Sequence, residues 1–299
     1  IEEKENLFPM SGISKSKTIH CNENGYYSIY ESDRFGFNNL DELWDKDTIE
    51  YLLVGDSFVH GNCVNRPNDI SSVLKKLSNK TVLNLGYEHY RGPLIEYASL
   101  REYLSPKVKK VIWVYFEGND LIDLKNELNS KILMKYLQDL NFSQNLKLKQ
   151  KEVDRIARDV LETKKIVRKE HNLFSKFIKL YNTRVLLKQI INPKSQPLPQ
   201  PEFKKILKLT NELVLKNNSK LFFVYLPEYN RFTTNYDNKS YSSIKEIIKE
   251  LNITFIDINY EVFKKESNPL KLFPFNMPGH YNIEGYKKVA EKIYSKTKD

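Results

Sequence analysis

At 299 residues the chain is long enough to bury one large core or two small ones. Forty per cent hydrophobic and 12% aromatic residues exclude global disorder, and no run of roughly 18 apolar residues marks a membrane span. A formal charge of +10 would suit polyanions, but the basic excess is densest at 145–171, where Lys and Arg alternate with Glu and Asp. That alternation is the pattern of a solvated helix with ion pairs three and four residues apart. Zinc-finger spacing, a glycine-rich phosphate loop and RNA-binding aromatic signatures are all missing, so no nucleic-acid partner is expected. No metal-ligand spacing occurs either, and neither a metal nor an organic cofactor is expected.

In chain order, residues 1–48 read as an irregular lead-in with turn signals at NENGYY and SDRFGFNN. The chain starts at Ile1 rather than Met, and the expectation is an upstream signal peptide or membrane anchor, with the domain outside the cytoplasm; a cytoplasmic protein is the alternative. The two cysteines, Cys21 and Cys63, would form one disulfide closing a loop of about 40 residues in an exported protein, or stay free thiols in the cytosol. From residue 49 onward, short apolar runs alternate with helical periodicity. IEYLLV (49–54), TVLNLG (81–86), KVIWVYF (110–116), KLFFVYL (220–226) and ITFIDI (253–258) are predicted strands. They are mostly apolar rather than alternating, as expected when helices cover both faces of a parallel sheet. Helices are predicted over 69–78, 93–104, 201–217, 242–251 and 282–296, the last with Asn282 as N-cap. This order predicts a three-layer α/β/α doubly wound, flavodoxin-like domain over 49–299. About a hundred residues between the third and fourth strands exceed what a crossover needs, so a helical insertion or lid is expected over about 125–200.

In open parallel sheets, ligands bind beyond the carboxyl ends of the strands, so the residues after each run are the candidates for a site. The first run delivers Gly55, Asp56 and Ser57; the second Gly86; the third Glu117, Gly118 and Asn119; and His280 stands just before the closing helix. A serine hydroxyl becomes a nucleophile when a base takes its proton, and neutral imidazole suits that task near pH 7. Attack on an ester carbonyl creates an oxyanion, for which the N–H groups of Ser57 and Gly86 and the side chain of Asn119 would be donors. Asp56 reads as holding the turn and Asp120 as capping the next helix.

At these residues the chain resembles the SGNH (GDSL-type) hydrolases, whose four blocks stand in order as GDSFVHG, NLGYEHYRG, EGND and GHYNIEGY. The resemblance covers roughly 49–126 and 219–296 and implies Ser57 as nucleophile, His280 as base, and Ser57, Gly86 and Asn119 as the oxyanion hole. The lead-in CNENGYYSIYESDRFGFNN is similar, more loosely, to that of exported or membrane-anchored bacterial members that modify surface polysaccharides. The family usually carries Asp two residues before the histidine; here that position is Pro278. Asp33 or Glu117 folding in from elsewhere would restore a triad, a carbonyl of Met277 or Pro278 would leave a Ser–His dyad, and with none of these the site is dead. Tyr87, His89 and Tyr281 are candidates for substrate contact, against ordinary packing roles. The expected activity is esterase or acyl transfer through an acyl-serine on O-acyl groups, with O-acetylated carbohydrate as favoured substrate and lipids or small esters as runner-up. The contrasting reading is an inactive SGNH-like module that binds surface polysaccharide or another anionic polymer.

Overall fold

The computed structural model describes residues 7–87, 91–170, 197–233, 236 and 239–298. Its centre is a five-stranded parallel sheet made of β3 (Ile49–Gly55), β4 (Val82–Asn84), β5 (Val108–Phe116), β6 (Lys220–Leu226) and β7 (Thr254–Asp257), in the order β4-β3-β5-β6-β7. This is the flavodoxin-like order, with its switch point between β3 and β5, where Gly55 registers against Val114. All five predicted strands are present, each within a few residues of its expected ends.

Alternate strand residues feed two separate cores. Leu52, Val54, Trp113, Tyr115, Phe223 and Tyr225 pack on one face; Leu53, Ile112, Val114, Phe222 and Val224 pack on the other. The apolar runs are continuous because both faces are covered. The first face is covered by α3 (Pro93–Tyr103), α7 (Pro201–Lys216) and α8 (Lys239–Glu250). The second is covered by α1 (Ser57–His60), α2 (Ile70–Ser78) and the closing helix α10 (Ile283–Thr297), with the one-turn α9 (Ile258–Glu261) after β7. Helix starts are fixed locally. Asp69 accepts from Ser72 N at 2.9 Å and Asn282 from Gly285 N at 3.0 Å, each satisfying an N–H that the first turn leaves without a partner.

Between β5 and β6 lie α4 (Asp120–Glu127), α5 (Lys131–Gln138) and the charged α6 (Gln150–Glu170). Residues 171–196 of the expected insertion lie outside the described residues. Glu102 of α3 ties the start of this region to the sheet layer, accepting from Gln144 N at 2.7 Å, Leu146 N at 2.9 Å and Ser143 Oγ at 2.9 Å, and from the Tyr136 hydroxyl. Among the described residues, no helix is long and apolar enough to cross a membrane.

The lead-in is more ordered than its composition suggests. It forms an antiparallel ribbon, β1 (Lys17–Ile19) with β2 (Ile29–Glu31), and a 3-10 turn at Asp41–Asp45. Its anchor is Asp33. The fully buried carboxylate accepts from Phe35 N (2.8 Å), Phe37 N (3.0 Å), Asn39 Nδ2 (2.8 Å) and Trp44 Nε1 (2.7 Å). Asn39 passes the connection on, donating to Asn84 O at 2.9 Å and accepting from Asn84 N at 2.9 Å. Removing a buried acceptor strands four donors at once. Asp33→Ala is therefore expected to cost about 2–4 kcal/mol, read as a fall in the urea midpoint with unchanged slope; a loss below about 0.5 kcal/mol would contradict this role for Asp33.

Candidate active site

Ser57 stands on a turn too sharp for a side chain at the preceding glycine. A Cβ on Gly55 would lie 2.5 Å from Val59 Cγ2 and 2.7 Å from Val114 O. Asp56 caps α1 by accepting from Phe58 N at 2.9 Å, so its carboxylate holds the turn, as its position in the sequence suggested. Gly61 ends α1 in the left-handed region at φ 84°, and the chain doubles back at once. Ser57 is left half-buried at the carboxyl edge of β3, with Phe58 and Val59 sunk beneath it.

His280 arrives from the other end of the chain. Its Nε2 lies 2.8 Å from Ser57 Oγ across 223 residues of sequence. The ring rests on Phe58 at a centroid distance of 4.9 Å, and Phe58 in turn packs on Phe116 at 4.2 Å. Behind the ring stands Glu23. Both carboxylate oxygens are 3.2 Å from His280 Nδ1, and Oε2 also accepts the His280 backbone N–H at 2.7 Å. Burial works against the Glu23 charge, but the hydrogen bond and charge of His280 outweigh it and hold the Glu23 pKa below its usual value.

The sequence reading looked to Asp33 or Glu117 for this carboxylate, and the structure places both elsewhere. Asp33 anchors the lead-in. Glu117, also fully buried, accepts from Arg231 Nε at 2.6 Å, from Arg231 Nη2 and the Tyr225 hydroxyl, and from Glu228 N at 2.8 Å, so it secures the loop after β6. Glu23 was missed because it lies in the segment read as irregular. The signal was present nonetheless: it is two residues beyond Cys21, and pairing Cys21 with Cys63, six residues after Ser57, brings it to the nucleophile turn. Cys21 and Cys63 are joined by a disulfide.

The expected oxyanion donors are differently disposed. The Ser57 N–H opens α1, where the first N–H groups have no partner within a helix. Asn119 Nδ2 donates to Asp123 Oδ2 at 2.6 Å, which uses one of its two hydrogens. Gly86 N–H donates to Asn84 Oδ1 at 2.7 Å, so the Asn84 carboxamide has to turn before Gly86 can face an oxyanion. Gly86 is also needed for packing rather than for substrate approach, because a Cβ there would sit 2.3 Å from His60 N and 2.6 Å from Val59 C.

Of the residues considered for substrate contact, Tyr281 is core. Its hydroxyl donates to Pro227 O at 2.6 Å and its buried ring packs between Phe58 and Phe263. Tyr87 is half-buried beneath the Arg91 guanidinium and near the His60 ring. His89 lies outside the described residues. Asp120 does not cap α4 with its side chain; it reaches back to accept from Phe116 N at 2.9 Å.

A layer of buried acids underlies the nucleophile turn. Burial pushes the Asp56 carboxyl up to about 6, and burial with neighbouring Asp56 and Glu127 pushes Glu96 well above the usual range, against the pull of Arg91. Asp120 is raised likewise by burial and by Glu96 and Asp56. Among the described residues, Asp56 Oδ2 and Asp120 Oδ1 have no hydrogen-bond partner. Raised carboxyls stabilise the fold while neutral, at acid pH, and that stability is lost as pH climbs through their folded pKa values.

No family model and no curated protein matches the chain. Among solved structures it is similar to a lipolytic protein of the G-D-S-L family from Desulfitobacterium hafniense, at 18% identity, covering 84% of this chain and 99% of that one, TM-score 0.47. It is also similar to a member of that lipolytic family from Veillonella parvula (12%, 83% and 97%, 0.45) and to an acetyl xylan esterase, AlAXEase (13%, 83% and 99%, 0.45). The fold rests on the strand order described above, and the chemistry on the site's own geometry.

Two outcomes follow from the packing of the site. Gly86→Ala is expected to destabilise by about 1–3 kcal/mol and to displace α1, read as a lowered urea midpoint together with lost reactivity at Ser57; a fully reactive, equally stable variant would refute the close approach. Glu96→Gln is expected to raise the melting temperature relative to wild type by more at pH 8 than at pH 5; an equal difference at both pH values would show that Glu96 does not carry a raised pKa.

Proposed function

We propose that the protein is a serine esterase or acyl-transfer enzyme acting on O-acyl groups through an acyl-Ser57 intermediate. The observation that carries this reading is the line Ser57 Oγ, His280 Nε2 at 2.8 Å, His280 Nδ1, Glu23 carboxylate at 3.2 Å. With the Nδ1 proton donated to Glu23, the Nε2 lone pair faces the hydroxyl, as general-base catalysis requires. Ser57 Oγ attacks the acyl carbonyl while Nε2 takes its proton, and the anionic Glu23 stabilises the imidazolium. The developing oxyanion is met by Ser57 N–H and the second hydrogen of Asn119 Nδ2, while Gly86 N–H stays with Asn84 Oδ1 at 2.7 Å. The tetrahedral adduct collapses, His280 protonates the departing alcohol oxygen, and Ser57 keeps the acyl group. His280 then deprotonates the second acceptor, water in a hydrolase or a sugar hydroxyl in a transferase, which attacks the acyl-serine carbonyl; the Ser57–acyl bond breaks and His280 returns the proton to Ser57 Oγ.

The finer assignment is an O-acetylated carbohydrate. It is supported by the resemblance of the lead-in and by two exposed aromatic residues on the loops flanking His280, Tyr27 at 65% and Phe275 at 69% exposure. Such rings offer flat apolar faces to the C–H side of a sugar. The disulfide supports an exported protein, since such bonds persist in oxidising compartments.

A fluorophosphonate probe is expected to label the wild type and to leave Ser57→Ala unlabelled; equal labelling of both removes Ser57 from the mechanism. With p-nitrophenyl acetate, Asn119→Ala is expected to lower kcat roughly 100- to 1,000-fold. No labelling of wild type and no acetate released from acetylated sugars would favour the non-catalytic polysaccharide-binding reading.

A further inference from the structure

The carboxylate facing His280 comes neither from the loop carrying the histidine, where Pro278 stands, nor from any strand of the sheet. It comes from the turn Cys21–Ser28, a compact loop closed by Ser28 N donating to Cys21 O at 2.7 Å. The disulfide joins this turn covalently to the body of the domain, and does so at the site. Cys63 is fully buried, and its Sγ lies 3.6 Å from His280 Nδ1, alongside the Glu23 oxygens. Asn24, next to Glu23, donates to Cys63 O at 3.0 Å, and the flanks of the turn meet the same segment through His20 Nε2 with Asn62 Oδ1 at 2.9 Å and Ile29 N with Asn65 Oδ1 at 2.7 Å. Glu23 itself keeps 35% side-chain exposure. A carboxylate so exposed gains little from charge pairing alone, so its hold on the imidazole depends on the backbone that presents it.

We propose that the Cys21–Cys63 disulfide is part of the machinery that orients His280: it fixes Glu23 as a positioning residue, and turnover depends on the bond being oxidised. The proposal rests on the serine-enzyme reading and goes beyond it by assigning a role to the sulfur pair. Reduction by a dithiol breaks the S–S bond, leaves a thiol on Cys21 and another on Cys63, and converts the dithiol to its cyclic disulfide. Glu23 is then held only by non-covalent contacts. The freed Cys63 thiol sits where it can donate to Nδ1, which favours the tautomer with the proton on Nε2. That tautomer cannot accept a proton from Ser57. Cys21 is half-buried, so a small dithiol has a route to the bond.

The test is a double-mutant cycle with p-nitrophenyl acetate, run in chelator, since the Cys21 and Cys63 sulfurs and a Glu23 oxygen lie within 4.8 Å of one another and reduction frees both thiols to take a metal. Circular dichroism checks that every form is folded at the assay temperature, and thiol titration checks reduction. Glu23→Gln is expected to lower kcat by about 100-fold, short of the roughly 10⁴-fold seen when a serine protease loses its orienting aspartate, with KM little changed and Glu23→Asp partly restoring it. Dithiothreitol is expected to lower wild-type kcat by a comparable factor, and to change Glu23→Gln by less than about twofold. The double variant Cys21→Ser with Cys63→Ser should match reduced wild type. Equal losses on reduction in wild type and Glu23→Gln would make the disulfide merely structural and overturn the proposal, as would a wild type indifferent to reduction. Fluorophosphonate labelling of Ser57 separates the two readings: labelling without redox sensitivity sinks only this inference, whereas an oxidised wild type that never labels sinks both.

Discussion

Everything in the site depends on one imidazole being held from both ends. In the proposed mechanism His280 keeps a lone pair toward Ser57 and a proton toward Glu23 at once, and each contact comes from a different part of the chain. Ser57 is supplied by the sheet, whose β3–β5 register places it at the switch point. Glu23 is supplied by a segment that precedes the sheet altogether. The ring between them is kept from rotating by Phe58, which is itself wedged against Phe116 and Tyr281. Burial of aromatic area here stabilises the fold by about 1.5–3 kcal/mol for a side chain such as Phe58, and the same packing fixes the direction of the base.

The second organising element is the chain of carboxamides from the lead-in to the nucleophile turn. Asp33 holds Asn39, Asn39 holds both polar groups of the Asn84 backbone, and the Asn84 side chain donates to Val59 O at 2.6 Å while accepting from Gly86 N. Residues that looked like loose punctuation between structured parts are therefore what aligns β4 with α1. The lead-in is integral to the domain through this network and through the covalent link at Cys63, and the catalytic edge is assembled from it as much as from the sheet.

The α/β architecture was legible because it rests on local, repeated signals: apolar runs of strand length, helical periodicity between them, and the N-cap at Asn282. Ser57 and His280 were legible because each sits where a strand or helix end dictates, and the structure brings them within hydrogen-bond distance. Glu23 was not legible from pattern. Its position depends on a loop conformation and a cross-link, neither of which leaves a periodic trace. Asp33 and Glu117 were reasonable candidates as carboxylates near the site in sequence order, but each is surrounded by donors of its own, and a fully bonded carboxylate has nothing left to offer a histidine. The packing role of Gly86 was likewise hidden, because the atoms it would strike belong to a helix two dozen residues earlier. Tyr281 illustrates the reverse error, a residue beside the base whose hydroxyl turns inward to a main-chain carbonyl.

With the orienting charge relocated to the lead-in, the stretch from Phe273 to Gly279 is relieved of chemical duty. Its root is packing, with Phe273 and Pro274 buried in the core, and beyond them Phe275, Asn276, Met277 and Pro278 are all exposed. Where the acid and base share a single loop, every change in that loop is also a change in the catalytic pair. Here the two groups come from distant parts of the chain, so a substitution on the exposed rim beside His280 leaves the carboxylate behind the ring in place.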